Sequence, residues 1–421
     1  MVRFIFITCI ILQATIMHSQ NIYETKNINT TWLLEQMKKD SFFAPFLAKN
    51  NGYRIQIIYT QINRNEGNQP SFNNYSFQLN DANYFYPAST VKFPISVMAL
   101  LKLQELQKKI PKLNLYTPLV TDAGGYNQDA VYNDATSPTG SPSIAHYIKK
   151  ILLVSDNDAS NRLYEFLGQQ YLNSTLQAKN YKNVELRHRL SVPNFTLNDN
   201  KYTNPYSFLG TNGEPIYTSN LQKSEYQFTA RNTAIGTGYM QGNKLVPKPF
   251  DFSTKNALPL RALHTVLQQV IFPDSTSANY LGLDSLHRNY LLTNMSKLPS
   301  ESKYPTYGPE ENYDDYCKFL LYGSAKNTIP KNIRIFNKVG DAYGFLIDAA
   351  YIVDFDAKVE FMLSATIHVN KDGVFNDDKY EYETEGFPFM KKLGELIYKY
   401  ELARPKKALP NLDEFRFDYG E

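Results

Sequence analysis

The sequence predicts an α/β (α+β) fold, in which one antiparallel sheet is built from N-terminal and C-terminal strands, is covered by helices and carries an inserted helical subdomain. Two observations lead to this prediction. Stretches with strand character lie near both ends of the chain, and stretches with helical periodicity lie between them. A sheet must bury its apolar face against other elements, so the helices between the strands are expected to cover it.

The N-terminal part predicts a helix over residues 32–39, followed by two strands. The run "YRIQIIYTQI" (53–62) is rich in β-branched and aromatic residues, and "NYSFQL" (74–79) follows after a polar loop. Such runs are typical of strands, and the polar loop between them indicates that they pair.

Helical spacing of apolar residues begins in "YFYPASTVKFPISVMALLKLQEL" (84–106). Residues 141–168 predict a helix, a short break and a second helix, with Ser141 or Ser143 at the start and Pro142 tolerated in the first turn. Two further helices are predicted at 259–272 and 311–323, before three C-terminal strands at 332–340, 344–355 and 358–370 and a last helix at 386–402.

We expect one domain over residues 20–403, between an N-terminal signal at 1–19 and a proline- and charge-rich tail at 404–421. Its sheet is expected from about 53–80 and 333–402, and its helical subdomain from about 107–330. Residues 196–250 are rich in Asn, Thr, Tyr and Gly with little periodicity. This stretch predicts an extended surface insertion.

The composition narrows the class of protein. The chain has 421 residues, of which 43% are hydrophobic and 20% charged, so a sizeable core is expected. The 44 basic and 41 acidic residues leave a net charge of +3, which argues against a nucleic-acid partner. After the N-terminal signal no apolar run reaches the roughly 18 residues of a membrane span, so no transmembrane segment is expected in the mature chain.

The N-terminus, "MVRFIFITCIILQATIMHSQ", predicts a secretory signal cleaved near Ser19, because Arg3 precedes an apolar run over residues 4–17. The alternative is a buried N-terminal strand. Cleavage would leave Cys317 as the only cysteine, so no intrachain disulfide is expected. The mature protein is predicted to be exported, to the periplasm or the extracellular space.

The pattern Ser89-Thr90-Val91-Lys92 stands where the first long helical run begins. Residues three apart share one helix face, so the Lys92 ammonium can reach the Ser89 hydroxyl, and a helix N-terminus supplies free N–H groups and a positive dipole end. The alternative is an ordinary helix start with a solvated lysine. The same spacing recurs at Ser300 and Lys303, where flanking prolines argue against a sustained helix.

Two further patterns follow in the chain. Ser155-Asp156-Asn157 falls at the break between two predicted helices, where side chains project into a cleft; the alternative is an N-cap of the second helix. Lys338-Val339-Gly340 closes the first of the C-terminal strands, and its alternative is a strand-end lysine with a turn glycine.

The order of these three patterns resembles that of class A β-lactamases and penicillin-binding proteins. More closely, the chain is similar to the class A-like β-lactamase enzyme family of exported serine hydrolases, from residue 53 to residue 402. The stretches "YIKKILLVSDNDASNRLYEFLG" and "KVGDAYGFLIDAAYIVD" contribute most to the resemblance. It implies a β-lactamase/transpeptidase-like fold and amide hydrolysis through an acyl-enzyme.

The resemblance also implies roles for individual residues. Ser89 would be the nucleophile, and Lys92 would take its proton, provided that burial and the nearby cation Lys338 lower the pKa of Lys92. Ser155 would relay a proton to the leaving nitrogen, and Asn157 would bind the substrate amide.

The resemblance places the oxyanion hole at the N–H groups of Ser89 and Asp341, the residue after Gly340. Lys338 would also attract a substrate carboxylate. A small-molecule substrate is expected, either a β-lactam or a cell-wall peptide. The sequence indicates no metal and no cofactor, because its histidines are scattered singly, and it leaves the oligomeric state open.

Two residues depart from the family pattern. Val339 stands where the family has a hydroxyl that binds the substrate carboxylate. In "NFTLN", Asn194 occupies the place of the glutamate that activates water, and an amide cannot act as a general base. The nearest acids, Glu185 and Asp199, lie outside the motif.

These departures leave three hypotheses. The first is a class A-like β-lactamase in which an unidentified group delivers water. The second is a penicillin-binding or D,D-peptidase-like enzyme that releases β-lactams slowly. The third is a non-catalytic ligand-binding module on the same scaffold.

Overall fold

The computed structural model describes residues 28–48 and 52–420. The predicted signal segment at 1–19 lies outside these residues. Within them, no helix combines the length and the apolar character that crossing a membrane requires.

Helices and strands alternate unevenly along the described chain. The helices are α1 (Trp32–Met37), α2 (Ala44–Leu47), α3 (Lys92–Gln107), α4 (Ile144–Val154), α5 (Asn157–Leu167), α6 (Gln169–Ala178), α7 (Leu260–Ile271), α8 (Ser285–Ser296), α9 (Phe319–Tyr322) and α10 (Phe387–Ala403). The strands are β1 (Gln56–Arg64), β2 (Pro70–Phe77), β3 (Leu119–Thr121), β4 (Tyr202–Thr203), β5 (Tyr206–Leu209), β6 (Pro215–Ser219), β7 (Gln222–Lys223), β8 (Ala234–Ile235), β9 (Gly238–Gln241), β10 (Lys244–Val246), β11 (Phe250–Asp251), β12 (Ile333–Ala342), β13 (Phe345–Asp354), β14 (Val359–His368) and β15 (Val374–Phe375).

The main sheet has the order β12-β13-β14-β1-β2, and all of its neighbours are antiparallel. Ile58 of β1 lies opposite Ser364 of β14 on one side and Ser76 of β2 on the other. The predicted fold class, an antiparallel sheet joined from both chain ends and covered by helices, is therefore confirmed. Strands β13 and β14 are buried along their whole length, as their largely apolar sequences require.

Alternation along β1 divides the interior into two cores. Ile57 and Tyr59 pack in a core with α1 and α10, whereas Ile58 and Ile62 face a second core that contains α3, α4 and α7. Successive side chains of a strand point to opposite faces, so one strand contributes to both cores. The second core also holds the segments that carry the Ser89 and Ser155 patterns.

The helix predicted at 311–323 is wrong, because only the single turn α9 forms there. Within α9, Leu320 has ψ of 130° and Leu321 has φ of 78°, both outside the helical region. The Leu320 N–H donates to the carboxylate of Asp348 at 3.0 Å instead of continuing a helix. Apolar spacing in this segment therefore reflects docking on the sheet and not helix formation. Helices α6 and α8 were not predicted.

The stretch at 196–250 contains short strands joined by loops, and it contributes to the interior as well as to the surface. Tyr206 and Phe208 of β5 are buried and pack edge-on against Phe166 of α5. A surface insertion alone would not bury two aromatic side chains, so this segment helps to hold the helical subdomain together.

The C-terminal tail also packs on the domain. Leu412 and Phe415 are buried, and the Phe415 ring lies 4.8 Å from that of Tyr351 and 5.8 Å from that of Phe336. The described part of this tail, residues 404–420, therefore closes part of the core beside the main sheet.

We expect Phe415→Ala to lower the free energy of unfolding by about 3–5 kcal/mol, because it removes a buried aromatic ring and leaves a cavity. Leu409→Ala, in the same tail, is the control: its side chain is 67% exposed, so its effect should stay within about 0.5 kcal/mol. Urea unfolding measures both. Equal losses in the two variants would contradict the packing described for the tail.

Candidate active site

Ser89 lies in the 3-10 turn Ala88–Val91, and Lys92 is the first residue of α3. Ala88, just before the serine, has φ of 47°, a left-handed conformation that is unfavourable for a residue with a Cβ. Ser89 is half-buried, whereas Lys92 has no solvent exposure. The sequence pattern thus places a partly accessible hydroxyl one turn from a buried amine.

The break between α4 and α5 is built by two neighbouring residues. Ser155 has φ of 61° and ends α4, and its N–H donates to Ile151 O at 3.1 Å. Asp156 caps α5, since its carboxylate accepts from Ala159 N at 2.8 Å. The N-cap expected as the alternative therefore exists, but at Asp156, which leaves the Ser155 hydroxyl available for other contacts.

Two buried lysines converge on Ser155. Lys338 Nζ donates to Ser155 Oγ at 2.8 Å, and Lys92 Nζ donates to the same oxygen at 3.2 Å and to the Ser155 carbonyl oxygen. In the part of the chain that the structure describes, no hydrogen bond joins Lys92 to the Ser89 hydroxyl. Three segments that are distant in the sequence therefore meet at one serine hydroxyl.

Burial of these lysines favours their neutral forms. Desolvation, and next to it the charge of Lys338, hold the pKa of Lys92 well below its usual value. Desolvation also lowers the pKa of Lys338 to about 8. An amine with a lowered pKa can accept a proton at neutral pH, which an ordinary lysine cannot.

Gly340 brings strand β12 against the serine segment. A Cβ added at Gly340 would lie 2.8 Å from the backbone nitrogens of Ser89 and Thr90 and 2.9 Å from Pro87 O. This close approach requires glycine. It also brings Gly340, the residue before Asp341, against the backbone of Ser89.

Asn157 lies at the exposed start of α5, and its amide donates to Ser191 Oγ at 3.0 Å. Ser191 belongs to a loop that also lines a pocket of about 560 Å³. Tyr86 and Tyr343 line the same pocket. Tyr86 lies three residues before Ser89, and Tyr343 lies two residues after Asp341. These three residues were not predicted from the sequence: Tyr86 and Tyr343 lie beside the Ser89 and Lys338 patterns without belonging to them, and Ser191 lies in a segment without a motif.

The acids near the expected water-activating position have other partners. Asn194 is exposed. Glu185 pairs with Arg187 at 2.7 Å and accepts from Thr229 N at 2.8 Å. Asp199 accepts from Thr196 N and Oγ1, both at 2.8 Å.

A buried polar cluster lies against β12 next to Lys338. Lys318 Nζ donates to Asn337 Oδ1 at 2.7 Å, and Asn337 donates to Asp348 and to Cys317 O, both at 2.9 Å. Burial raises the pKa of Asp348 to about 6 and lowers that of Lys318 to about 8. Sequence analysis missed this cluster, which ties the 317–320 segment to the strand that presents Lys338.

Comparison with known proteins agrees with the resemblance inferred from the sequence. A model of the β-lactamase enzyme family matches residues 39–237. The predicted resemblance to class A-like serine hydrolases is thereby confirmed, and the match includes Ser89, Lys92, Ser155 and Asn157, while Lys338 lies beyond it. No curated protein matches the chain in sequence.

Several solved β-lactamase structures are similar to this chain. One from Xanthomonas campestris is 16% identical with a TM-score of 0.47, and the match covers 87% of this chain and 96% of that chain. One from Francisella tularensis is 14% identical with a TM-score of 0.45, covering 87% and 97%. One from Sphaerobacter thermophilus is 10% identical with a TM-score of 0.44, covering 89% and 98%. Likenesses at this level define neither substrate nor mechanism.

Gly340→Ala is expected to lower the free energy of unfolding by about 1–3 kcal/mol, because the added methyl group would meet backbone atoms that cannot move aside cheaply. Gly308→Ala is the matched control, since a Cβ there would meet nothing within 4 Å. Chemical denaturation compares the two variants. If Gly340→Ala is as stable as Gly308→Ala, strand β12 does not approach Ser89 as closely as described.

Proposed function

We propose that this protein is an exported active-site serine hydrolase that is acylated at Ser89 by a β-lactam or a related amide. The observation that supports this most strongly is the convergence of two buried lysines, Lys92 and Lys338, on the hydroxyl of Ser155. Burying two lysine amines is costly, and a purely structural role would be met more cheaply by apolar side chains. Export rests on the predicted signal segment.

In the proposed acylation, neutral Lys92 takes the proton of Ser89, and the serine oxygen attacks the amide carbonyl carbon. The developing oxyanion is stabilised by the N–H groups of Ser89 and Asp341. The C–N bond then breaks, and Ser155 passes a proton from the lysine pair to the leaving nitrogen. Asn157 orients the substrate amide, and Lys338 attracts an anionic group on the substrate.

Hydrolysis of the acyl-enzyme needs a base to activate water. Asn194 cannot accept the proton, and the hydrogen bonds and ion pairs of Glu185 and Asp199 engage them elsewhere. This observation favours slow deacylation, the behaviour of the second candidate, a penicillin-binding or D,D-peptidase-like enzyme on a cell-wall peptide. A non-catalytic module is the third candidate, favoured by Val339, by Asn194 and by the large insertion at 196–250.

Benzylpenicillin should leave a mass adduct on the mature protein that persists for minutes or longer. The proposed site supplies a base for acylation, whereas at the expected deacylation position Asn194 is an amide and the acids Glu185 and Asp199 are engaged with other groups. Intact-mass spectrometry detects it, and a chromogenic cephalosporin reports any turnover. Ser89→Ala should abolish the adduct, whereas Ser300→Ala, the serine of the second Ser-x-x-Lys pattern, should keep it. Absence of both adduct and turnover in the wild type would refute the proposed function.

The pH dependence of acylation should reveal the coupling between the lysines. Because neutral Lys92 is the base, the acylation rate should rise with pH through the pKa of Lys92 and fall above about 8, where Lys338 loses its charge. Lys338→Met removes a neighbouring positive charge and therefore raises the pKa of Lys92, moving the rise to higher pH by about one unit. The falling limb should disappear.

Lys303→Met, in the second Ser-x-x-Lys pattern, is the control for charge removal and should leave the pH profile unchanged. Stopped-flow or quenched acylation at saturating β-lactam measures the profiles. An unshifted rise in Lys338→Met would show that Lys92 is not the titrating base.

A further inference from the structure

The pocket beside the candidate active site has an aromatic wall. The rings of Tyr86 and Tyr343 meet edge to face at 5.0 Å, and Phe195 and Leu197 add apolar surface from the loop that carries Ser191. Ser191, which lines this pocket of about 560 Å³, accepts a hydrogen bond from Asn157, the residue proposed to orient the substrate amide. A substrate held at Ser89 could therefore extend into it.

Lys255 supplies the pocket with a positive charge. Its Nζ lies 6.0 Å from the ring centroid of Tyr343. Within residues 28–48 and 52–420, no carboxylate forms an ion pair with this ammonium, and partial burial alone lowers its pKa. A half-buried lysine of this kind favours a negatively charged partner that would replace the water it has lost.

The other basic groups of the pocket are already neutral or paired. Burial lowers the pKa of His188 to about 4, and its Nε2 accepts from Asn256 N while Nδ1 faces Arg189 O. Arg189 lies 3.4 Å from the carboxylate of Glu165 and donates to Tyr202 O. Lys255 is therefore the charge in this pocket that remains for a ligand.

We propose that the pocket binds the acyl side of the substrate through an anionic group, a carboxylate that lies against Lys255. The hydrophobic group of the substrate next to this carboxylate lies against Tyr86 and Tyr343. This inference rests on the proposed function and names the substrate class: amides whose acyl portion carries both an aromatic or apolar group and a carboxylate.

Two penicillins test the proposal, because carbenicillin differs from benzylpenicillin by one carboxylate on its acyl side chain. The second-order acylation rate at Ser89 should be roughly ten-fold higher for carbenicillin, as expected for one charge-assisted hydrogen bond in a partly buried site. Lys255→Gln should remove this preference, and Lys255→Arg should keep most of it. Lys248→Gln, an exposed lysine on the same segment, should retain the wild-type ratio.

A second measurement separates binding from chemistry. Calorimetric titration of Ser89→Ala with each penicillin should show the same preference, and the preference should shrink as salt is raised. Equal rates for the two penicillins in the wild type, or an unchanged ratio in Lys255→Gln, would overturn the subsite while leaving the proposed function intact. Absence of any adduct with either compound would overturn both.

Discussion

The structure of the candidate site depends on the burial of two lysine amines against one serine hydroxyl. Lys92 begins helix α3 and Lys338 lies within strand β12, 246 positions later in the chain, and each loses nearly all contact with water. An ammonium is costly to bury, so the fold must hold both groups in place by other means. It does so through the left-handed turn at Ser155, the close contact at Gly340 and the packing of α3 in the second core.

The main sheet holds Lys338 in its buried position. Strand β12 is an edge strand, and only its partner β13 fixes its register. The buried contacts of Lys318, Asn337 and Asp348 attach the segment after α8 to that edge. Polar groups buried in this way specify one arrangement, because each would be left without a partner if the strand moved. The position of Lys338 therefore depends on groups on the opposite face of its own strand.

Some features of the site could be predicted from local sequence, and others could not. Two of these features are local patterns with a local physical cause: the spacing of Ser89 and Lys92 at the start of an apolar helical run, and the polar break at Ser155. Lys255, Ser191 and the tyrosines of the pocket lie outside the three motifs, so their proximity follows from long-range packing. The helix expected at 311–323 does not form, despite its apolar spacing. The Leu320 N–H donates to Asp348 and the segment packs on the sheet instead.

Periodicity and short motifs act over a few residues, and they were enough to predict the sheet strands, most of the long helices, the class of fold and the resemblance to a family. The tertiary structure decided which side chains share a site, which lysines lose their water, and which acids are already engaged. Burial and pKa values depend on atoms contributed by distant segments. The sequence order of those segments does not specify the distances between their side chains.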